Sequence, residues 1–226
     1  MIADRWREVG ERVAAACARA GRDPSSVTIV AVAKTHPAAA VAEAIAAGVT
    51  DVGENYAQEL VAKQAEVNAP VRWHYIGRLQ RNKAKLVAGK VALIHAVDSG
   101  ELAAELDRRA AAAGAIQPVL IAVNVAGEDT KGGVTPAATA ALIDAIAAHA
   151  HLRCDGLMTM PPPSDNPDDT RPHFAALRDL RDRLAAPARP LPVLSMGMSG
   201  DFEAAIAEGA THVRIGTLIF GSRPPG

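Results

Sequence analysis

The chain has 226 residues, 49% of them hydrophobic and only 3% aromatic, and its 24 basic and 25 acidic residues leave a net charge of −1. That length suits one large α/β domain, and the charge balance removes the electrostatic case for a nucleic-acid or anionic-membrane partner. Two cysteines, Cys17 and Cys154, without CxxC or Cys/His zinc spacing, predict free thiols in a reducing compartment.

The N-terminal stretch MIADRWREVGERVAAACARAG is charged throughout, with apolar residues at helical spacing. It predicts a helix over residues 4–20, ended by Gly21, rather than a signal peptide. The apolar run 27–33 (VTIVAVA) predicts the first strand and ends on Lys34, followed by Thr35, His36 and Pro37. Burying an ammonium is costly. Lys34 is therefore either an amine poised to lose its charge and react with an aldehyde or a lysine that snorkels at a strand end.

Beyond it, strand-like runs at 50–52, 71–76, 91–97, 119–123, 153–158, 191–196 and 212–215 alternate with alanine-rich helical patterns such as 38–47, 56–66, 101–113, 136–150 and 171–184. Gly48, Gly114 and Gly209 stand where helix stops are expected. Eight strands with helical crossovers predict a single-domain (β/α)8 TIM barrel over residues 1–226, with the extra N-terminal helix expected beneath it. An open doubly wound sheet is the alternative, weakened because no GxGxxG follows the first strand. The proline-rich segment 161–169 predicts a strand-to-helix loop. Its Asp165, Asp168 and Asp169 predict a solvated acidic run rather than a metal site. No run reaches the eighteen or so apolar residues of a membrane span, and the protein is expected to be cytoplasmic and monomeric.

The polar and glycine-rich residues fall after the strands, on the face where barrel active sites lie. They include Lys34, Gly53 to Asn55, Gly77, Asp98, Asn124, the run SMGMSGD (195–201) and RIGTLIFG (214–221). In the last two, Gly216 lets backbone amides approach an anion, Ser199 and Thr217 supply hydroxyls, and Thr217 opens a short helix. Each turn alone reads equally well as an ordinary capped turn. Opposite a strand-end lysine, the pair points to an aldehyde-bearing phosphate, which fits pyridoxal 5′-phosphate (PLP) or a sugar-phosphate aldolase substrate. His95, His149, His151, His173 and His212 lack metal spacing, and most are expected on helix surfaces or loops.

The segments AVAKTHP (31–37), GENYAQE (53–59), WHYIGRLQRNK (73–83) and LSMGMSGDFEAAIAEGATHVRIGTLIFG (194–221) together resemble the pyridoxal phosphate homeostasis family. The resemblance implies a barrel like that of alanine racemase, of fold type III, without the racemase's second domain. It implies that Lys34 forms an internal aldimine with PLP. Ser199, Gly216 and Thr217 would hold the phosphate, and Arg214 would stand beside the pyridine nitrogen. Asn55, His74, Ile76 and Met196 would lie near the ring, with Met198 as a further apolar neighbour. His36 departs from the family's frequent second lysine, and Lys131 lies in a TKGG loop expected to be exposed. The implied function is to buffer PLP or deliver it to apo-enzymes. A small amino-acid racemase is the first alternative, with His74 or Tyr56 as candidate second base, and an aldolase without PLP is the second.

Overall fold

The computed structural model describes residues 1–128, 132–162, 164 and 166–222. Eight parallel strands pair in chain order and close on themselves: β1 (Thr28–Val32), β2 (Asp51–Glu54), β3 (Arg72–Tyr75), β4 (Leu93–Val97), β5 (Gln117–Ala122), β6 (Leu152–Met158), β7 (Val193–Ser195) and β8 (His212–Ile215). The helices are α1 (Ile2–Arg19), α2 (Ala38–Ala46), α3 (Ala57–Glu66), α4 (Ala84–Val87), α5 (Gly100–Ala112), α6 (Thr139–Ala147), α7 (Arg171–Leu184), α8 (Phe202–Ala207) and α9 (Thr217–Phe220). The barrel predicted from the alternating pattern is therefore the observed fold. The doubly wound alternative fails because β8 pairs with β1, Thr28 opposite His212 and Ala31 opposite Ile215.

Local chemistry accounts for the element ends. Gly48, Gly114 and Gly209 take φ of +102°, +64° and +95° at the ends of helical segments, a conformation that costs a residue with a Cβ. The segment expected as one helix over 136–150 is a 3₁₀ turn, Pro136–Ala138, capped by the Thr135 hydroxyl, followed by the shorter α6. α1 differs from expectation. It packs against α2, α8 and α9 outside the β8–β1 seam rather than beneath the barrel. Its buried stripe of Val9, Val13, Ala16 and Cys17 faces apolar neighbours, and Arg12 bonds Glu203 at 3.1 Å. At the barrel's lower end Arg72, 63% exposed, pairs with Asp51.

Successive residues of a strand point to opposite faces. The outward residues build the main core against the helices. Leu93, Ala96, Leu120, Ala122 and Met158 form a second, smaller apolar cluster from β4, β5 and β6. Among the described residues no helix is long and apolar enough to cross a membrane.

Candidate functional site

Lys34 follows β1 after Ala33, half-buried, in a turn closed by the His36 amide donating to the Ala33 carbonyl at 3.1 Å. Thr35 takes φ +67°, a strained conformation for a β-branched residue that persists only where surroundings enforce it. The enforcement is visible. Lys63 on α3 is buried and donates from Nζ to the Ala33 carbonyl at 2.8 Å, to Glu54 and to Glu59 at 3.3 Å, while Glu59 Oε2 accepts from the Thr35 amide at 3.0 Å. Burial pushes the Glu54 carboxyl up, opposed by its bond and charge attraction to Lys63. Both sides of the Lys34 position are thus clamped by one ionic cluster, buried at Lys63 and Glu54 and half-buried at Glu59. His36, next in the turn, stacks on Phe220 with ring centroids 5.1 Å apart.

Lys34 borders a cavity of about 340 Å³ at the C-terminal end of the barrel, within the usual range for small-molecule sites. Asn55, Ile76, Arg78, Met198, Ser199, Arg214, Gly216 and Thr217 also line it, and among the described residues no carboxylate does. Gly77 is required here by close approach, since a Cβ on it would lie 2.1 Å from the Asn55 carbonyl oxygen. Opposite Lys34, the turn after β7 is fixed by Asp201, whose carboxylate accepts from the Met198 amide at 2.6 Å. The turn after β8 leads into α9 with Thr217 as its first residue.

Arg214 connects this cavity to the barrel interior. It is buried, and its guanidinium donates to Ser195 Oγ at 2.6 Å and to the Thr159 carbonyl at 2.9 Å. Burial lowers its pKa to about 10, which still leaves it charged at neutral pH. Ser195 Oγ lies 2.8 Å from His95 Nδ1, His95 Nε2 lies 3.0 Å from His74 Nδ1, and His74 Nε2 lies 2.8 Å from Asp51 Oδ1. Asp51 also accepts from Arg72 through both oxygens at 2.7 Å. Burial would raise the Asp51 carboxyl, but bonds from His74, Arg72 and Thr50 outweigh it and hold the group well below the carboxylate range.

Residues 9–224 match the alanine racemase N-terminal domain family. The pyridoxal phosphate homeostasis protein of Aquifex aeolicus is 47% identical over 97% of this chain and 97% of its own length. That of Pseudomonas aeruginosa is 45% identical over 100% of this chain and 97% of its own. The structure of PipY from Synechococcus elongatus PCC7942 with PLP bound superposes with a TM-score of 0.84 at 37% identity, covering 98% of this chain and 100% of that one. The chain belongs to the pyridoxal phosphate homeostasis protein family.

Of the residues that family membership brings forward, the structure gathers Lys34, Asn55, Ile76, Ser199, Arg214, Gly216 and Thr217 around one cavity. His74 and Met196 do not line it. His74 is directed toward the lower end of the barrel by its bond to Asp51, and Met196 is fully buried in the main core, whereas Met198 borders the cavity. Tyr56 is 53% exposed beside a neighbouring cleft, and Tyr75 is buried, its hydroxyl pushed up to about 12 by burial. His95 and His212 correct the expectation of surface histidines. His95 is fully buried and His212 half-buried, their ring centroids 6.1 Å apart, because each occupies an inward position of a strand. His149 and His151 instead lie near Asp107, at 3.6 and 3.5 Å. Asp169 accepts from Ser164 and Asn166 in the proline-rich loop, and among the described residues no group of three potential metal ligands occurs. Lys131 and Asp165 lie outside the described residues.

The sequence reading missed Lys63. Its signal was present, since Ala57, Leu60 and Lys63 recur every third residue on the buried face of α3. A lysine on such a face requires buried partners.

Proposed function

We propose that this protein binds PLP in the cavity at the C-terminal end of its barrel, holds it covalently through Lys34, and buffers or delivers it within the cytoplasm. The observation that carries this reading is that the amine of Lys34 shares one cavity with the donors of Ser199, Thr217 and Arg214, with no carboxylate among the described lining residues. That donor set suits an anionic aldehyde. PLP, when bound, supplies an aldehyde that a lysine amine captures reversibly and a ring that withdraws electrons.

The chain's own residues then divide the work. The Ser199 hydroxyl and the amides of Gly216 and Thr217 hold the phosphate, where charge-assisted hydrogen bonds are strong. Arg214 would donate toward the ring nitrogen. Arginine has no acceptor and does not give up its proton there, so a ring nitrogen beside it would stay unprotonated and the ring would be a weak electron sink. Asn55, Ile76 and Met198 line the cavity where they would flank the ring. The Lys63–Glu54–Glu59 cluster holds Lys34 in place through the backbone on either side of it. Neither His74 nor Tyr56 lines the cavity, so neither offers the opposite-face proton donor that two-base racemization requires. The recipients are apo-enzymes that require PLP. The protein works as a monomer, and its two unpaired cysteines suit the reducing cytoplasm.

Titrating the purified protein with PLP, followed by visible absorbance and by α-proton exchange of an amino-acid panel in deuterated water, tests this reading. One PLP per chain with no exchange is expected. Absence of PLP uptake would contradict the binding site, and robust exchange would replace the carrier with a racemase.

A further inference from the structure

Arg214 is a buried cation that makes no direct ion pair among the described residues; the Asp201 carboxylate, in the turn after β7, attracts it only from beyond that distance. Such a charge normally costs several kcal/mol unless something compensates it. Asp201 supplies part of that compensation, and the side chains beneath Arg214 show a second source. Arginine can only donate, so Ser195 Oγ accepts from Arg214. The described residues give that hydroxyl one further partner, His95 Nδ1 at 2.8 Å, so its single hydrogen is directed there. His95 Nδ1 is then an acceptor and Nε2 carries the proton, which points at His74 Nδ1, 3.0 Å away. His74 in turn carries its proton on Nε2, 2.8 Å from Asp51 Oδ1.

The same assignment follows from the other end. An ionised Asp51 can only accept, so a neutral His74 must donate through Nε2 and accept at Nδ1, and His95 must donate to it. With both imidazoles neutral, donor-only Arg214 and acceptor-only Asp51 fix the direction of every hydrogen between them. Each intervening dipole has its negative end toward the guanidinium and its positive end toward the carboxylate, so the chain stabilises both charges.

We propose that Asp51, His74, His95 and Ser195 form a directional positioning relay that makes Asp51 a second, remote counter-ion of Arg214 beside Asp201 and aims the remaining guanidinium donors into the cavity. The direction of the relay is independent of what the cavity holds. Its effect on ligand retention rests on the PLP reading given above. Arg72, the exposed partner of Asp51, lies outside the relay.

Two measurements test this. The first uses the wild-type protein without PLP. Long-range proton–nitrogen NMR correlations should show both His74 and His95 neutral, with a pyrrole-type Nε2 and a pyridine-type Nδ1. An Nδ1-protonated or doubly protonated ring at either position would overturn the relay. The second is equilibrium dialysis of PLP against Ser195→Ala, Asp51→Asn and Arg72→Gln proteins, with circular dichroism as the folding control. Ser195→Ala and Asp51→Asn should each weaken PLP retention about fivefold or more, the order of one lost hydrogen bond. Arg72→Gln should stay within about twofold of wild type, as removal of an exposed ion pair does. Folded Asp51→Asn protein that retains PLP like wild type, or an equal loss in Arg72→Gln, would refute the counter-ion role. Should either relay variant fail to fold, the wild-type tautomers still decide the direction. A wild type that takes no PLP would sink the cofactor reading while leaving the relay to be judged by its ring tautomers.

Discussion

The two ends of the barrel solve opposite problems. At the C-terminal end, side chains and amides border an open cavity: Lys34 is half-buried, Thr217 is exposed, and the turns after β7 and β8 are glycine-rich. Below it, polar groups are buried and mutually bonded, as Asp51, His74, His95 and Ser195 show. A buried polar group without a partner costs about 1–3 kcal/mol, so the lower half can hold histidines and a carboxylate only as a closed network. The upper half keeps donors available to a ligand because each critical backbone position is fixed from behind, by Lys63 and Glu59 near Lys34 and by Asp201 at Met198.

The sharpest way to break this contrast is to remove the clamp without touching the cavity. Lys63→Met should cost about 3–5 kcal/mol of stability, because Glu54 is left buried and unpaired, and should loosen PLP retention as well. Replacing Glu54 and Lys63 together by Gln and Met should recover part of the stability loss. Chemical denaturation with a PLP retention assay checks this, and a loss below about 1 kcal/mol would show the cluster to be incidental.

A pH series probes the lower half. Burial, with the charges nearby, lowers His212 from 6.5 to about 4. Between those values the unfolded chain binds a proton that the folded protein refuses, so stability falls as pH drops from 6.5 toward 4 and is unaffected above. The loss should be roughly 2–3 kcal/mol. Glu54, raised by burial, acts in the opposite sense. The measurement is therefore the difference between wild type and His212→Asn, from which the Glu54 contribution cancels. A difference that does not change with pH would contradict a neutral, half-buried His212.

In the upper half, Ser199→Ala and Thr217→Ala should each weaken PLP retention by about 1–3 kcal/mol while leaving the melting temperature nearly unchanged. Retention by the double variant equal to wild type would place the phosphate elsewhere. The smallest effect is expected at Arg78, whose contact with Asp98 is 3.8 Å and largely exposed. Arg78→Ala should change stability by less than about 1 kcal/mol.

Much of the upper half was legible in the sequence because its signals are local. A lysine ending an apolar run and glycine–hydroxyl turns after two later strands can be read within a few residues. The lower half was not, because its partners come from β2, β3, β4, β7 and β8 and meet only when the barrel closes. Yet β3 and β8 leave a period-two trace. Arg72, His74 and Ile76 alternate on β3 and its continuation, and His212, Arg214 and Gly216 on β8 and its continuation. Polar residues two apart in a parallel strand point inward together, and that pattern separates a lumen histidine from a surface one. Met196 and Met198 share this spacing, but β7 ends at Ser195, and the turn that follows sends Met198 to the cavity and Met196 to the core. The position of α1 depended on which outer surface was apolar, which no local pattern in α1 specifies.

The central claim is that Lys34 carries PLP. Reducing the PLP-loaded protein with borohydride, digesting it and mapping the modified peptide by mass spectrometry tests this directly. The account predicts one phosphopyridoxyl group per chain, on Lys34, and none in Lys34→Ala. Modification confined to exposed lysines such as Lys85 or Lys90, with Lys34 unlabelled, would contradict it.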